Sequence, residues 1–129
     1  MKYEESVIVP SYKYFYVNHQ VNDGELEYED RFIVQCQKQF FLGVEDEEDY
    51  FEWLLLDWNY GNVEWSEFFE AWSNDEERML RAYDLREITK EQAEVCKEVG
   101  FMLCDITDFV KDPETFKRYT KVMEDKHVS

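Results

Sequence analysis

Residues 12–37 read YKYFYVNHQVNDGELEYEDRFIVQCQ. Tyr12, Tyr14 and Tyr16 alternate with Lys13, Phe15 and Val17, and Phe32, Val34 and Cys36 alternate with Ile33, Gln35 and Gln37. A period of two is the mark of a β-strand, because successive side chains leave opposite faces. Between the runs, Asn22-Asp23-Gly24 supplies residues that tolerate positive φ, as a tight antiparallel connection requires. Two or three antiparallel strands are predicted, with a shorter strand before Pro10 and His19 in a connecting loop.

Beyond this stretch the period becomes helical. From Glu45, residues Tyr50, Phe51, Leu54, Leu55 and Trp58 fall on one face of a helix that ends at Asn59–Gly61. Trp65, Phe68, Phe69 and Trp72 have the spacing of a second helix, with Glu64, Glu67 and Glu70 on its other side. Ser73-Asn-Asp-Glu76 has capping-box spacing and predicts a third helix with Met79, Leu80 and Tyr83 inward. Thr89-Lys-Glu-Gln92 repeats the device ahead of Ala93, Cys96 and Val99, with Gly100 as its stop. Residues 101–106 suit a short strand, and Asp112-Pro113 starts a last helix with Phe116, Tyr119 and Met123 inward. The expected fold is α+β: a single domain over residues 1–129, with a small N-terminal antiparallel sheet packed against about four C-terminal helices.

The chain carries 31 acidic residues against 14 Lys and Arg, a formal charge of −17 over 129 residues. The charge is segregated. Residues 1–22 are balanced, residues 23–77 hold eighteen acids and two bases, and residues 78–129 hold eleven and ten. Between Lys38 and Arg78 there are thirteen acids and no base. Direct binding of DNA, RNA or anionic lipid is disfavoured, since phosphate contacts need clustered Lys and Arg. With 44% hydrophobic and 18% aromatic residues the chain has apolar area enough to fold. Its longest apolar runs are far shorter than the ~20 residues of a membrane span, and its start does not read as a secretory signal. Cys36, Cys96 and Cys104 are odd in number and lack CxxC spacing, as expected of reduced core thiols in a cytoplasm.

Catalytic patterns are absent from the sequence. The two histidines, His19 and His127, have no nucleophile at a recognisable spacing, and there is no GxGxxG or GxxxxGK[ST]. No cofactor is assigned. Asp57-Trp-Asn59-Tyr-Gly61-Asn-Val63-Glu-Trp-Ser-Glu67 resembles an EF-hand calcium loop. One residue is missing before Gly61, which removes the fifth-position ligand and throws Asp57 out of register with Glu67, so no metal is assigned. Asp23-Gly24-Glu25-Leu26 with Asp30 echoes the second half of such a loop, with His19 and Val21 where ligands are needed.

What remains is a non-enzymatic binding protein whose partner is basic. Its candidate contacts are Glu45, Asp46, Glu47, Glu48, Asp49, Glu52, Glu64, Glu67, Glu70, Asp75, Glu76 and Glu77. Two helices of ~15 residues would lay these acids along about 22 Å, over which duplex DNA shows roughly 13 phosphates. In size, charge and aromatic content the chain resembles the acidic DNA mimics of phages and mobile elements, including anti-restriction and anti-CRISPR inhibitors. That resemblance implies a protein in the host cytoplasm that blocks the nucleic-acid groove of an enzyme without touching nucleic acid itself. Immunity proteins that neutralise nuclease toxins share the same size and charge, and a cellular acidic adaptor would use the same face to recruit. Trp53, Trp58, Trp65 and Trp72 are read as core, with one or two available as interface anchors.

Overall fold

The N-terminal hairpin forms as its alternation requires. In a computed structural model that describes residues 11–41, 47–74 and 78–128, β1 (Tyr12–Asn22) and β2 (Glu27–Gln37) pair antiparallel from Tyr12↔Gln37 to Asn22↔Glu27. The turn is closed by Asp23, whose Oδ1 accepts the N–H groups of Glu25 (3.0 Å) and Leu26 (2.7 Å), with Gly24 at φ +96°. A short 3-10 turn (Lys38–Phe41) follows β2. The strand foreseen before Pro10 lies outside the described residues.

Helix α1 (Glu47–Tyr60) buries Tyr50, Phe51, Leu54 and Leu55 as expected, while Trp58 is only partly buried against the core and Trp53 and Leu56, outside the expected face, are buried as well. The next two expectations fail, for one physical reason. Residues 65–72 form no helix; they form β3 (Glu64–Ser66) and β4 (Ala71–Ser73), an antiparallel hairpin with Trp65 opposite Trp72. Seven residues separate those tryptophans in sequence, two turns of a helix, but the same spacing also places them face to face across a four-residue connection. Ser73 likewise caps nothing. It ends β4, and Met79–Ile88 is a strand, β5. A bulge where β5 passes Asn18 and His19 inserts Tyr83 and breaks the two-residue period, leaving apolar residues at spacings that imitate a helix. Of the three residues expected inward there, Leu80 is buried and Tyr83 is 63% exposed.

Helix α2 (Lys90–Glu98) starts at a complete capping box: Thr89 Oγ1 accepts the Gln92 N–H at 3.0 Å and Gln92 Oε1 accepts the Thr89 N–H at 2.9 Å. Then come β6 (Leu103–Asp105), α3 (Thr107–Lys111) and α4 (Pro113–Val128). Of these elements α2, β6 and α4 follow the reading, whereas α3 was not foreseen and Val99 after α2 is exposed. On α4, Tyr119 is buried and Met123 packs on the core, while Phe116, expected inward, is half exposed.

The sheet is therefore larger and more mixed than a small N-terminal antiparallel unit. Six strands run in the order β3-β4-β5-β1-β2-β6, with strands from both halves of the chain and β6 parallel to β2. Because β5 and β6 run the same way, the chain must cross from one to the other over the strands between, and α2, which touches both β1 and β2, is that crossover. Ala93 and Ile33 are buried on that side. The main core forms on the other face, where Val17, Val21, Phe32, Val34, Cys36 and Leu80 meet α1, α3 and α4. All four tryptophans lie in this core or against it, as expected. Among the thiols Cys36 is buried and Cys96 and Cys104 are partly buried; burial pushes the Cys36 thiol up to about 12, which leaves it unreactive. No helix of the described residues is long and apolar enough to cross a membrane.

His19 sits in the middle of β1, not in a loop, and is fully buried. Its ring lies against Phe32 (5.5 Å) and Tyr60 (5.7 Å), with Nδ1 3.3 Å from the Asn59 amide nitrogen. Burial pulls its pKa from 6.5 down to about 4, against an opposing pull from Asp30. The unfolded chain thus takes up this proton first. Stability tied to His19 is complete above pH 6.5 and is lost as pH falls toward 4, amounting to about 3 kcal/mol by pH 4 at 1.36 kcal/mol per pKa unit. Urea unfolding at pH 7 and pH 4.5 should show a shallower loss for His19→Leu than for the natural chain. Parallel profiles would show that His19 takes no part in acid sensitivity.

Candidate functional site

The β3–β4 hairpin concentrates what is unusual about this surface. Its inner face is anchored: Trp65 and Trp72 pack edge to face at 5.3 Å, Lys126 of α4 lies over them at 4.2 and 5.2 Å, and Trp72 Nε1 donates to Glu52 at 3.2 Å. Its turn is held by Ser66 Oγ, which accepts the Phe69 N–H at 3.1 Å. At that turn Phe68 is 89% exposed, and its ring meets that of Phe69 edge to face at 5.2 Å. Glu67 and Glu70 flank it in exposed positions, and Glu64 is exposed at the other end of β3.

Glu70 adopts φ +53°, the left-handed region that costs a non-glycine residue roughly 1–2 kcal/mol. Replacement by glycine would remove that cost but lose roughly 0.5–1 kcal/mol in chain entropy. Glu70→Gly is accordingly expected to stabilise the fold by about 0.5 kcal/mol while deleting one carboxylate from the turn. A lower urea midpoint for Glu70→Gly would contradict the strain.

The hairpin also extends a row of residues across the sheet. Glu64 pairs with Ser73, Ser73 with Met79, Met79 with Asn22 and Asn22 with Glu27. Directly paired residues share a face, so Glu64 and Glu27 stand on the same side, four strand spacings or about 19 Å apart. Asp23 and Glu25 of the β1–β2 turn continue the row in exposed positions. The N–H groups of Leu26 and Glu25 hold the Asp23 carboxyl below the usual range. Asp23, Glu25 and Glu27 were missed as candidate contacts, although the excess of acid in the sequence already begins at residue 23.

The twelve candidate contacts divide. Glu64, Glu67 and Glu70 are outward as expected, but on a hairpin and not on one helical face. Glu52, expected as a free contact, is partly buried and accepts from Trp72. Glu47, Glu48 and Asp49 lie in the first turn of α1. Glu45, Asp46, Asp75, Glu76 and Glu77 lie outside the described residues.

Folding also brings bases into the segment that has none in sequence. Asp57, 4% exposed, pairs with Arg118 of α4 through one oxygen and accepts the Val63 N–H at 3.1 Å through the other. Its carboxylate is thereby committed to donors of the protein, so the first position of the EF-hand-like stretch is a structural anchor for the turn after α1. Elsewhere Glu29 bonds Arg31 at 2.6 Å, which holds the Glu29 carboxyl low, and Asp84 pairs with Arg86 at 3.1 Å. Among the described residues, no three His, Cys, Asp or Glu side chains converge as a metal cage would need. Comparison with protein-family models, with curated proteins and with solved structures finds no match to this chain.

Proposed function

We propose that this protein is a non-enzymatic acidic inhibitor that docks on the basic, nucleic-acid-binding surface of a partner enzyme, in the manner of phage-encoded DNA mimics. The observation that carries the reading is the exposed Glu64–Glu70 hairpin, a fixed turn with Phe68 at its tip and carboxylates on either side. Aromatic anchors within a charged rim are the arrangement that gives protein interfaces both residence time and directed encounter. Over about 19 Å a duplex shows roughly 11 phosphates at one per ~1.7 Å. Among the exposed carboxylates, those of Glu27 and Glu64 share this face, those of Asp23 and Glu25 lie in the adjoining turn, and those of Glu67 and Glu70 lie at the β3–β4 turn, at the other end of its strands. The four along the row amount to about a third of the density of duplex, enough to occupy part of a phosphate-binding groove, with the apolar tip and its flanking carboxylates supplying the rest of the affinity.

The test is retention of proteins from a lysate of the encoding host on the immobilised chain, followed by elution with salt or with duplex DNA. A nucleic-acid enzyme released by both is the expected result. A partner indifferent to both agents would replace inhibition by an adaptor role anchored through Phe68.

A further inference from the structure

We propose that the free edge of β2, from Glu27 to Arg31, takes up an extended segment of a partner protein, a strand in which basic residues alternate with apolar ones. The edge is free because β6 is short and pairs with β2 only alongside Ile33–Gln35. Ahead of that point in the chain no described strand flanks β2 on this side, and Glu27, Tyr28, Glu29 and Arg31 are all exposed. Three hydrogen bonds fix which way the backbone faces. The Ile33 N–H donates to the Met102 carbonyl at 2.8 Å and the Gln35 carbonyl accepts the Ile106 N–H at 3.0 Å, so odd-numbered residues of β2 turn toward the β6 side. The Leu26 carbonyl accepts the Asp23 N–H at 3.1 Å, so even-numbered residues turn toward β1. Strand backbone alternates sides residue by residue. Glu27, Glu29 and Arg31 therefore present their N–H and C=O groups outward, where those groups have no partner among the described residues.

A row of unpaired donors and acceptors is a template for another strand. This one runs for about 13 Å at ~3.3 Å per residue. Exposed apolar side chains border it, with Leu26 at one end, Met102 at the other and Tyr28 between. Charge selects the occupant. Glu27 and Glu29 project on the Ile33 side of the sheet, Asp23 and Glu25 stand in the adjoining turn, and the one base among them, Arg31, is bound to Glu29 at 2.6 Å. Lysine or arginine at alternate positions of an incoming strand would lie beside Glu27 and Glu29. The positions between fall on the opposite face, where the Tyr60 hydroxyl already donates to Asp30 and the ring of Tyr28 offers an apolar contact. A second copy of this chain, itself carrying −17, is disfavoured as the occupant by charge. The inference stands apart from the inhibitor reading, since it concerns backbone pairing with any strand of this pattern.

The experiment is residue-resolved hydrogen exchange of the full chain, alone and with an excess of a blocked peptide of alternating lysine and valine. Alone, the Glu27, Glu29 and Arg31 amides should exchange freely, while those of Tyr28 and Asp30, turned toward β1, are protected. The peptide should slow the three outward amides by about tenfold, and the same peptide N-methylated at alternate residues along its pairing edge should leave them unchanged. Unchanged exchange at those amides with the lysine peptide would overturn the proposal, as would equal protection by a peptide carrying glutamate in place of lysine. Protection already present in the free chain and rising with its concentration would overturn it in favour of pairing between copies.

Discussion

Asp57→Ala is expected to lower the stability of the folded chain by about 3 kcal/mol, the cost of a buried charged acceptor withdrawn from its donors. Three features of the site set this magnitude. The Val63 N–H, buried beneath the turn, would lose its acceptor. Arg118 would lose its counter-charge while its guanidinium stays over Trp53 at 5.6 Å and Phe109 at 5.7 Å. Trp53 is itself tied to the same turn, since its Nε1 donates to the Val63 carbonyl at 2.9 Å. Arg118 remains about half exposed, so water recovers part of its loss and the total stays below that of a fully enclosed pair. Asp57→Asn keeps an acceptor for Val63 and is expected to cost about half as much. Urea unfolding of both variants checks this, and a cost below about 0.5 kcal/mol for Asp57→Ala would mean that the turn stands without its anchor.

Reversing three charges, Glu64→Lys, Glu67→Lys and Glu70→Lys together, is expected to weaken partner binding at least a hundredfold. The change raises the net charge from −17 to −11, and on the proposed reading it sets three cations against a basic surface, so attraction would become repulsion there. The fold should tolerate it, because all three side chains are exposed and the Trp65–Trp72 pair beneath them is untouched. Phe68→Ala separates the apolar contribution from the electrostatic one. The charge variant should lose its defect as salt rises, while Phe68→Ala should bind more weakly at every salt concentration. Full binding by the triple variant would move the interface off this hairpin.

Local chemistry explains which elements could be foreseen. The Asn22-Asp23-Gly24 turn, the Thr89–Gln92 capping box and the proline that opens α4 each depend on contacts a few residues apart, so their signals survive in the linear chain. The apolar face of α1 is legible for the same reason. The β3–β4 hairpin and β5 were not, because a pair seven residues apart and a strand with a bulge both present helix-like spacing. Nothing local distinguishes the two; the choice is made by pairing of β4 with β5 and of β5 with β1, partners distant in sequence.

The candidate site divides along the same line. By itself the amino-acid sequence determined the hairpin of β1 and β2, the capping box of α2, the proline start of α4, the net negative charge and the concentration of its excess in residues 23–77. Only the tertiary structure decided which of those charges are exposed and which are paired within the chain. Arg118 reaches Asp57 from 61 residues away, Trp72 occupies Glu52, and strand pairing lines up Glu64 with Glu27. Charge is a property of composition, but its field at the surface depends on distance and burial, and those exist only once the sheet has closed.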